Sequence, residues 1–178
     1  IHGGTIALNA GLSTTNMLNG NISLNGTSLS GNSNIALAQD RILTCNLSSP
    51  VTYSGVISGT GSGLTQAGTG VLTLTGPNTY TGTTTVAAGG LTLNRTGGGT
   101  LASVTNLSIS GGALVVNSNQ VVNDINLSSG TLTNNAGVTL TLENTFAGGG
   151  TLANNGTFKI LGATTAGPMC PPAIEFPG

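Results

Sequence analysis

Residues 59–93 read GTGSGLTQAGTGVLTLTGPNTYTGTTTVAAGGLTL. Two L-x-L units, Leu72-Thr73-Leu74 and Leu91-Thr92-Leu93, and one T-x-V unit, Thr84-Thr85-Val86, are joined through glycine and asparagine turns without a charged residue. In each unit apolar residues alternate with small polar ones, the period that sends successive side chains to opposite faces of a strand. The stretch reads as one rung of a stacked β structure and part of the next.

The same unit recurs along the chain: Ile6 and Leu8, Ile22 and Leu24, Ile35 and Leu37, Leu43 and Leu47 about Cys45, Leu107 and Ile109, Ile125 and Leu127, Leu140 and Leu142, Phe158 and Ile160. Successive units from Leu91 onward lie 16, 18, 15 and 18 residues apart. That interval suits one coil of a solenoid, whose repeats each need a neighbour to bury their apolar face. Nine or ten coils stacked at roughly 4.8 Å give a rod on the order of 45 Å long. Helices are not expected, because glycine and β-branched residues are weak helix formers and no apolar run recurs at three and four residues. A β-sandwich is the main rival, and the near-constant interval favours the solenoid. The expected fold class is therefore all-β: a single-domain parallel β-helix over residues 1–166 with an extended, proline-rich C-terminal arm over 167–178. Asn19-Gly20, Asn25-Gly26 and Asn155-Gly156 are turn dipeptides, and asparagines at equivalent corners can form hydrogen-bonded ladders.

The order Leu72, Thr73, Leu74, then Gly76, Asn78, Tyr80, Gly82, Thr84, Val86 and Gly89 closely resembles the passenger-associated transport repeat, also called the autotransporter-associated β-strand repeat. The resemblance covers residues 59–93 and implies a bacterial protein carried across the envelope, with a right-handed parallel β-helix outside the cell. Gln66 stands where a lysine is common in the repeat.

Composition agrees with a packed but nearly uncharged fold. Charged residues are 4% of the chain, against roughly a quarter in ordinary globular proteins, while 37% are hydrophobic. With Arg41, Arg95 and Lys159 as the only cations, the chain cannot neutralise a row of phosphates, so no nucleic-acid partner is expected. No run of about 18 apolar residues is present, so no membrane-spanning helix is expected.

Solenoid ends carry unpaired backbone groups, and these point to self-association. At one end Thr5, Ile6 and Leu8 form a strand-like segment after only four residues. At the other, GPMCPPAIEFPG holds four of the six prolines and reads as a stiff extended arm in which Ile174 and Phe176 alternate like an anchor. Cys45 and Cys170 would lie roughly 30 Å apart along one rod, and the arm from Gly162 to Cys170 spans at most about 26 to 29 Å. A subunit stacked on the C-terminal end would bring its own Cys45 nearer, which favours a bond between subunits. The alternative is that Cys45, sharing the parity of Leu43 and Leu47, is a small core residue.

Catalytic chemistry has little material. His2 is the only histidine, and Asp40, Asp124, Glu143 and Glu175 are the only acids. Asp124 and Glu143 are one coil apart but offset differently from their strands, so they read as unrelated surface acids and not as a glycosidase pair. One histidine and two separated cysteines fit no zinc spacing, and no cofactor is expected. Several N-x-S/T triplets, such as Asn106 and Asn126, follow from the composition. The reading is a non-enzymatic, secreted bacterial structural protein, extracellular or at the cell surface, whose subunits stack head-to-tail into a filament. A stalk segment of an autotransporter passenger or adhesin comes second, and a polysaccharide-active β-helix enzyme third. Secretion rests on the resemblance, with a mature N-terminus assumed.

Overall fold

The computed structural model describes residues 5–8, 16–18, 20–25 and 28–162, with strands 5–8, 16–18 and 28–31 described by backbone alone. All regular structure in them is β, and every strand pair is parallel. The chain winds as a three-sided solenoid of about seven coils. The first coil carries β1 (Thr5–Leu8), β2 (Asn16–Leu18) and β3 (Ile22–Asn25), and the second β4 (Ser28–Gly31), β5 (Ile35–Leu37) and β6 (Ile42–Asn46). The third holds β7 (Val51–Tyr53), β8 (Ile57–Ser58) and β9 (Gly63–Gln66). Two coils then lack a strand on one side: β10 (Val71–Leu74) with β11 (Thr84–Val86), and β12 (Gly90–Leu93) with β13 (Leu107–Ile109). Next come β14 (Ala113–Val116), β15 (Gln120–Val122) and β16 (Ile125–Leu127), then β17 (Thr131–Asn134), β18 (Thr139–Leu142) and β19 (Phe146–Gly148). An eighth turn begins with β20 (Thr151–Asn154) and β21 (Thr157–Ile160).

One side is a seven-strand sheet from β3 to β19, so the rod is about 30 Å long and not the 45 Å expected. The overestimate came from reading successive L-x-L units as successive coils. Leu91 sits in β12 and Leu107 in β13, on different sides of one coil, whereas partners in register are separated by about a full circuit: Leu91 pairs with Leu114 and Leu114 with Leu132. The second side runs from β7 to β20, with β4 lying beside β7 and β1 paired to β4.

The third side is two separate three-strand sheets, β2-β5-β8 and β15-β18-β21. Side-chain amides carry it across the gap between them. Asn78 Oδ1 accepts from Ile57 N at 2.8 Å, and its Nδ2 donates to Thr100 O at 3.0 Å. Gln120, in β15, holds both main-chain groups of Leu101 in the coil before it. Both amides are buried, so each replaces a missing main-chain partner where an orphaned polar group would be costly.

The core is a set of stacked columns, as alternation within the strands requires. Leu43, Leu64, Thr84, Leu107 and Ile125 succeed one another on the first side, and Leu72, Leu91, Leu114, Leu132 and Leu152 on the second. The five leucines are at most 2% exposed. The corner between these sides is closed by glycine: Gly89 has φ of +57°, and a Cβ there would collide with the carbonyls of Gly68 and Gly70 in the coil below. In place of extended corner ladders, the described residues show single asparagine pairs between neighbouring coils, with Asn46 Nδ2 donating to Asn25 Oδ1 at 3.1 Å, Asn123 Nδ2 to Asn106 Oδ1 at 2.9 Å and Asn134 Nδ2 to Asn154 Oδ1 at 2.8 Å.

Candidate functional site

Two regions offer something to a partner: the terminal coil and the outer surfaces of the sheets. β19, β20 and β21 are each the last member of their sheet, so among the described residues their outer edges have no strand beside them. Phe146 and Phe158 meet edge to face at 5.7 Å over the end of the core, both only partly buried. Beyond them Ile160 is 43% and Leu161 58% exposed. Among the described residues this end presents main-chain donors and acceptors together with apolar surface, the combination that accepts a further strand. Sequence reading placed the anchors elsewhere, because the exposure of Ile160 and Leu161 depends on which residues pack against β21.

Of the residues singled out for self-association, Thr5, Ile6 and Leu8 lie in β1, at the edge of its pair with β4. Cys170, Ile174 and Phe176, like the whole 167–178 arm, lie outside the described residues. Cys45 is inside the core on β6, in register between Leu24 and Gln66 and fully buried. Burial pushes its thiol up to about 12, so it is neither exposed nor ionised at neutral pH.

The described acids stand in different local settings. Asp124, at the corner entering β16, is held by its own chain: Oδ2 accepts from Asn123 Nδ2 at 2.9 Å, and Oδ1 accepts from Asn144 Nδ2 at 2.9 Å, from Thr145 N at 3.0 Å and from the Thr145 hydroxyl. Glu143 follows β18 as an exposed residue, and Asp40 sits in a turn with φ of 57°. His2 and Glu175 lie outside the described residues. Among the described residues no three His, Cys, Asp or Glu side chains are grouped to hold a metal ion.

Gln66, the position where the resembling repeat commonly has lysine, is fully buried. Its Nε2 donates to Gly68 O at 3.1 Å and Gly70 O at 2.9 Å, while Oε1 has no partner. The site therefore asks for donors only, which a lysine ammonium supplies and an amide supplies by half.

The outer surfaces carry in-register files of small polar side chains that no single stretch of sequence reveals. On the first side Thr44, Thr65, Thr85, Ser108 and Asn126 follow one another coil by coil. On the second, Thr52, Thr73 and Thr92 do the same.

With this architecture in place, residues 64–93 match the family model described as Passenger-associated-transport-repeat. The chain thus carries that repeat, in β9 to β12, within a parallel β-solenoid. The repeat is the one associated with the passenger β-helices of autotransporters. No curated protein and no solved structure matches the chain.

Proposed function

We propose that this chain is a non-enzymatic structural segment of a bacterial passenger, a stiff β-solenoid displayed outside the cell or on its surface. The observation that carries the reading is the unbroken in-register stack from β3 to β19, with the matched repeat embedded in it. Each coil fixes its neighbours through main-chain ladders and leucine columns, so the length is spent on rigid reach. Negative-stain imaging of the purified chain tests this: rod-shaped particles, single or joined end to end, are expected, and compact globules would refute it.

A finer reading, head-to-tail filaments, is favoured by the edges of β19, β20 and β21, which have no strand beside them among the described residues, and by exposed Ile160 and Leu161. Heterologous contacts that do not close into a ring grow without limit. In that assembly the β1 end, with Thr5, Ile6 and Leu8, receives the terminal coil of the next copy, and the arm with Cys170, Ile174 and Phe176 crosses the junction. A Cys45–Cys170 bond between copies would require the second coil to open, since the Cys45 thiol is buried. Filaments that persist in thiol reductant support non-covalent stacking; filaments lost in reductant support the bond; single rods at high concentration exclude both.

A further inference from the structure

The file Thr44, Thr65, Thr85, Ser108, Asn126 borders, over its later coils, a surface groove of about 430 Å³ that runs along the rod axis. Its walls come from four successive coils, from Thr83 through Asn106 and Asp124 to Thr145, a span of about 14 Å. That volume falls in the range of small-ligand sites, roughly 300–1,000 Å³.

The polar groups here are arranged and largely unspent. The hydroxyls of Thr83 and Ser108 and the amide of Asn126 make no hydrogen bond within the described chain. Asn106 uses only Oδ1, accepting from Asn123 Nδ2 at 2.9 Å, which leaves its NH₂ free. Asp124 is locked by Asn123, Asn144 and Thr145, and Oδ2 retains acceptor capacity beside its single bond. The groove thus offers donors and acceptors in mixed order on a rigid sheet, so little ordering cost falls on the protein when a ligand binds.

We propose that this groove binds a neutral polysaccharide chain lying parallel to the rod. Hydroxyl groups, which both donate and accept, are the ligand chemistry that satisfies such a mixed array. The lining contains no cation, and its one charge is the Asp124 carboxylate, which repels phosphate and uronate. A peptide strand finds no edge here, because β11, β13 and β16 are each paired on both sides. Ala147, exposed on the same face, supplies apolar contact for the C–H face of a sugar. Lacking an aromatic platform, a single groove binds with a dissociation constant on the order of 1 mM, and affinity rises when many rods are displayed together. The site lies on a lateral face and operates whether rods stand singly or stack end to end.

The test is titration of the isotopically labelled chain with soluble malto-, cello-, chito- and manno-oligosaccharides, with polygalacturonate as the acidic arm, followed by backbone amide shifts. At least one neutral oligosaccharide is expected to shift the amides of Ser108, Asn126 and Ala147 in a saturable way. Ser108→Phe, filling the groove from an outward position, should weaken binding at least tenfold. Thr44→Phe, on the same file three coils away, should leave it unchanged. Where far-UV circular dichroism shows Ser108→Phe misfolded, Asn126→Ala replaces it, with at least a threefold loss expected. The proposal is overturned by silence of these amides to every neutral probe at 10-fold the concentration named above, by groove variants that bind like the parent, or by polygalacturonate binding as tightly as the neutral chains.

Discussion

Gln120 grips Leu101 by both of its main-chain groups: Leu101 N donates to Oε1 at 3.0 Å and Nε2 donates to Leu101 O at 3.0 Å. A side chain thus serves as the strand that this coil lacks. Gln120→Leu keeps the volume but leaves an N–H and a C=O unpaired beside a core leucine, at a cost of about 2–4 kcal/mol. Gln120→Glu turns an oxygen toward the Leu101 and Val121 carbonyls and should be worse still. Urea midpoints for parent and variants check this; a Gln120→Leu midpoint equal to the parent's would mean the coil closes without the amide.

At Gln66 the order of variants is the informative quantity. Gln66→Lys retains donors to the Gly68 and Gly70 carbonyls and removes the orphaned oxygen, with charge-assisted bonds offsetting burial of the ammonium. Gln66→Glu offers no donor and places a carboxylate among carbonyls, costing at least about 2 kcal/mol. Denaturation curves should therefore rank lysine within about 1 kcal/mol of the parent and glutamate lowest. A glutamate variant as stable as lysine would mean the pocket does not select donors.

What the sequence revealed and what it concealed divide along one physical line. Period-two alternation and the 59–93 pattern made the solenoid legible, because each L-x-L unit states its own inward face. The inward direction of Cys45 was open to reading from its parity with Leu43 and Leu47. Register between coils was not legible, since it depends on how corners of unequal length close. Hence the coil count was too high, the Thr44 to Asn126 file went unseen, and the roles of Asn78 and Gln120 as substitute strands were missed. A buried polar residue at the expected place of a third-side strand is the signal that marks them.

Gly89 tests the corner geometry. Its φ of +57° disfavours any side chain, and a Cβ would press on the Gly68 and Gly70 carbonyls of the neighbouring coil, both of which accept from Gln66 Nε2. Relief would separate the coils at that corner, so Gly89→Ala should cost about 2–3 kcal/mol, beyond the ordinary expense of a left-handed alanine. Gly97, also at positive φ but with nothing near its Cβ position, is the control, and Gly97→Ala should cost about 1 kcal/mol. Equal losses at the two positions would show that backbone conformation alone, and not coil contact, governs the corner.

Alkaline pH should unfold this rod through three buried acids. Burial pushes Cys45 from 9.0 up to about 12 and Tyr53 from 10.0 up to about 12, and burial raises Tyr80 as well, only partly opposed by its 2.6 Å bond with the Thr84 hydroxyl. In each case the folded state keeps a proton that the unfolded chain releases. Below about pH 9 both states are protonated and these groups add no pH dependence. Between 9 and 12 the unfolded state binds fewer protons, so stability falls with rising pH, by up to about 1.4 kcal/mol per unit for each group. Urea midpoints should therefore hold level from these groups between pH 7 and 9 and drop steeply above pH 10. Tyr80→Phe starts lower, having lost the Thr84 bond, but its decline above pH 10 should be shallower by one group's share. Parallel declines for parent and Tyr80→Phe would mean that the Tyr80 hydroxyl reaches water in the folded rod.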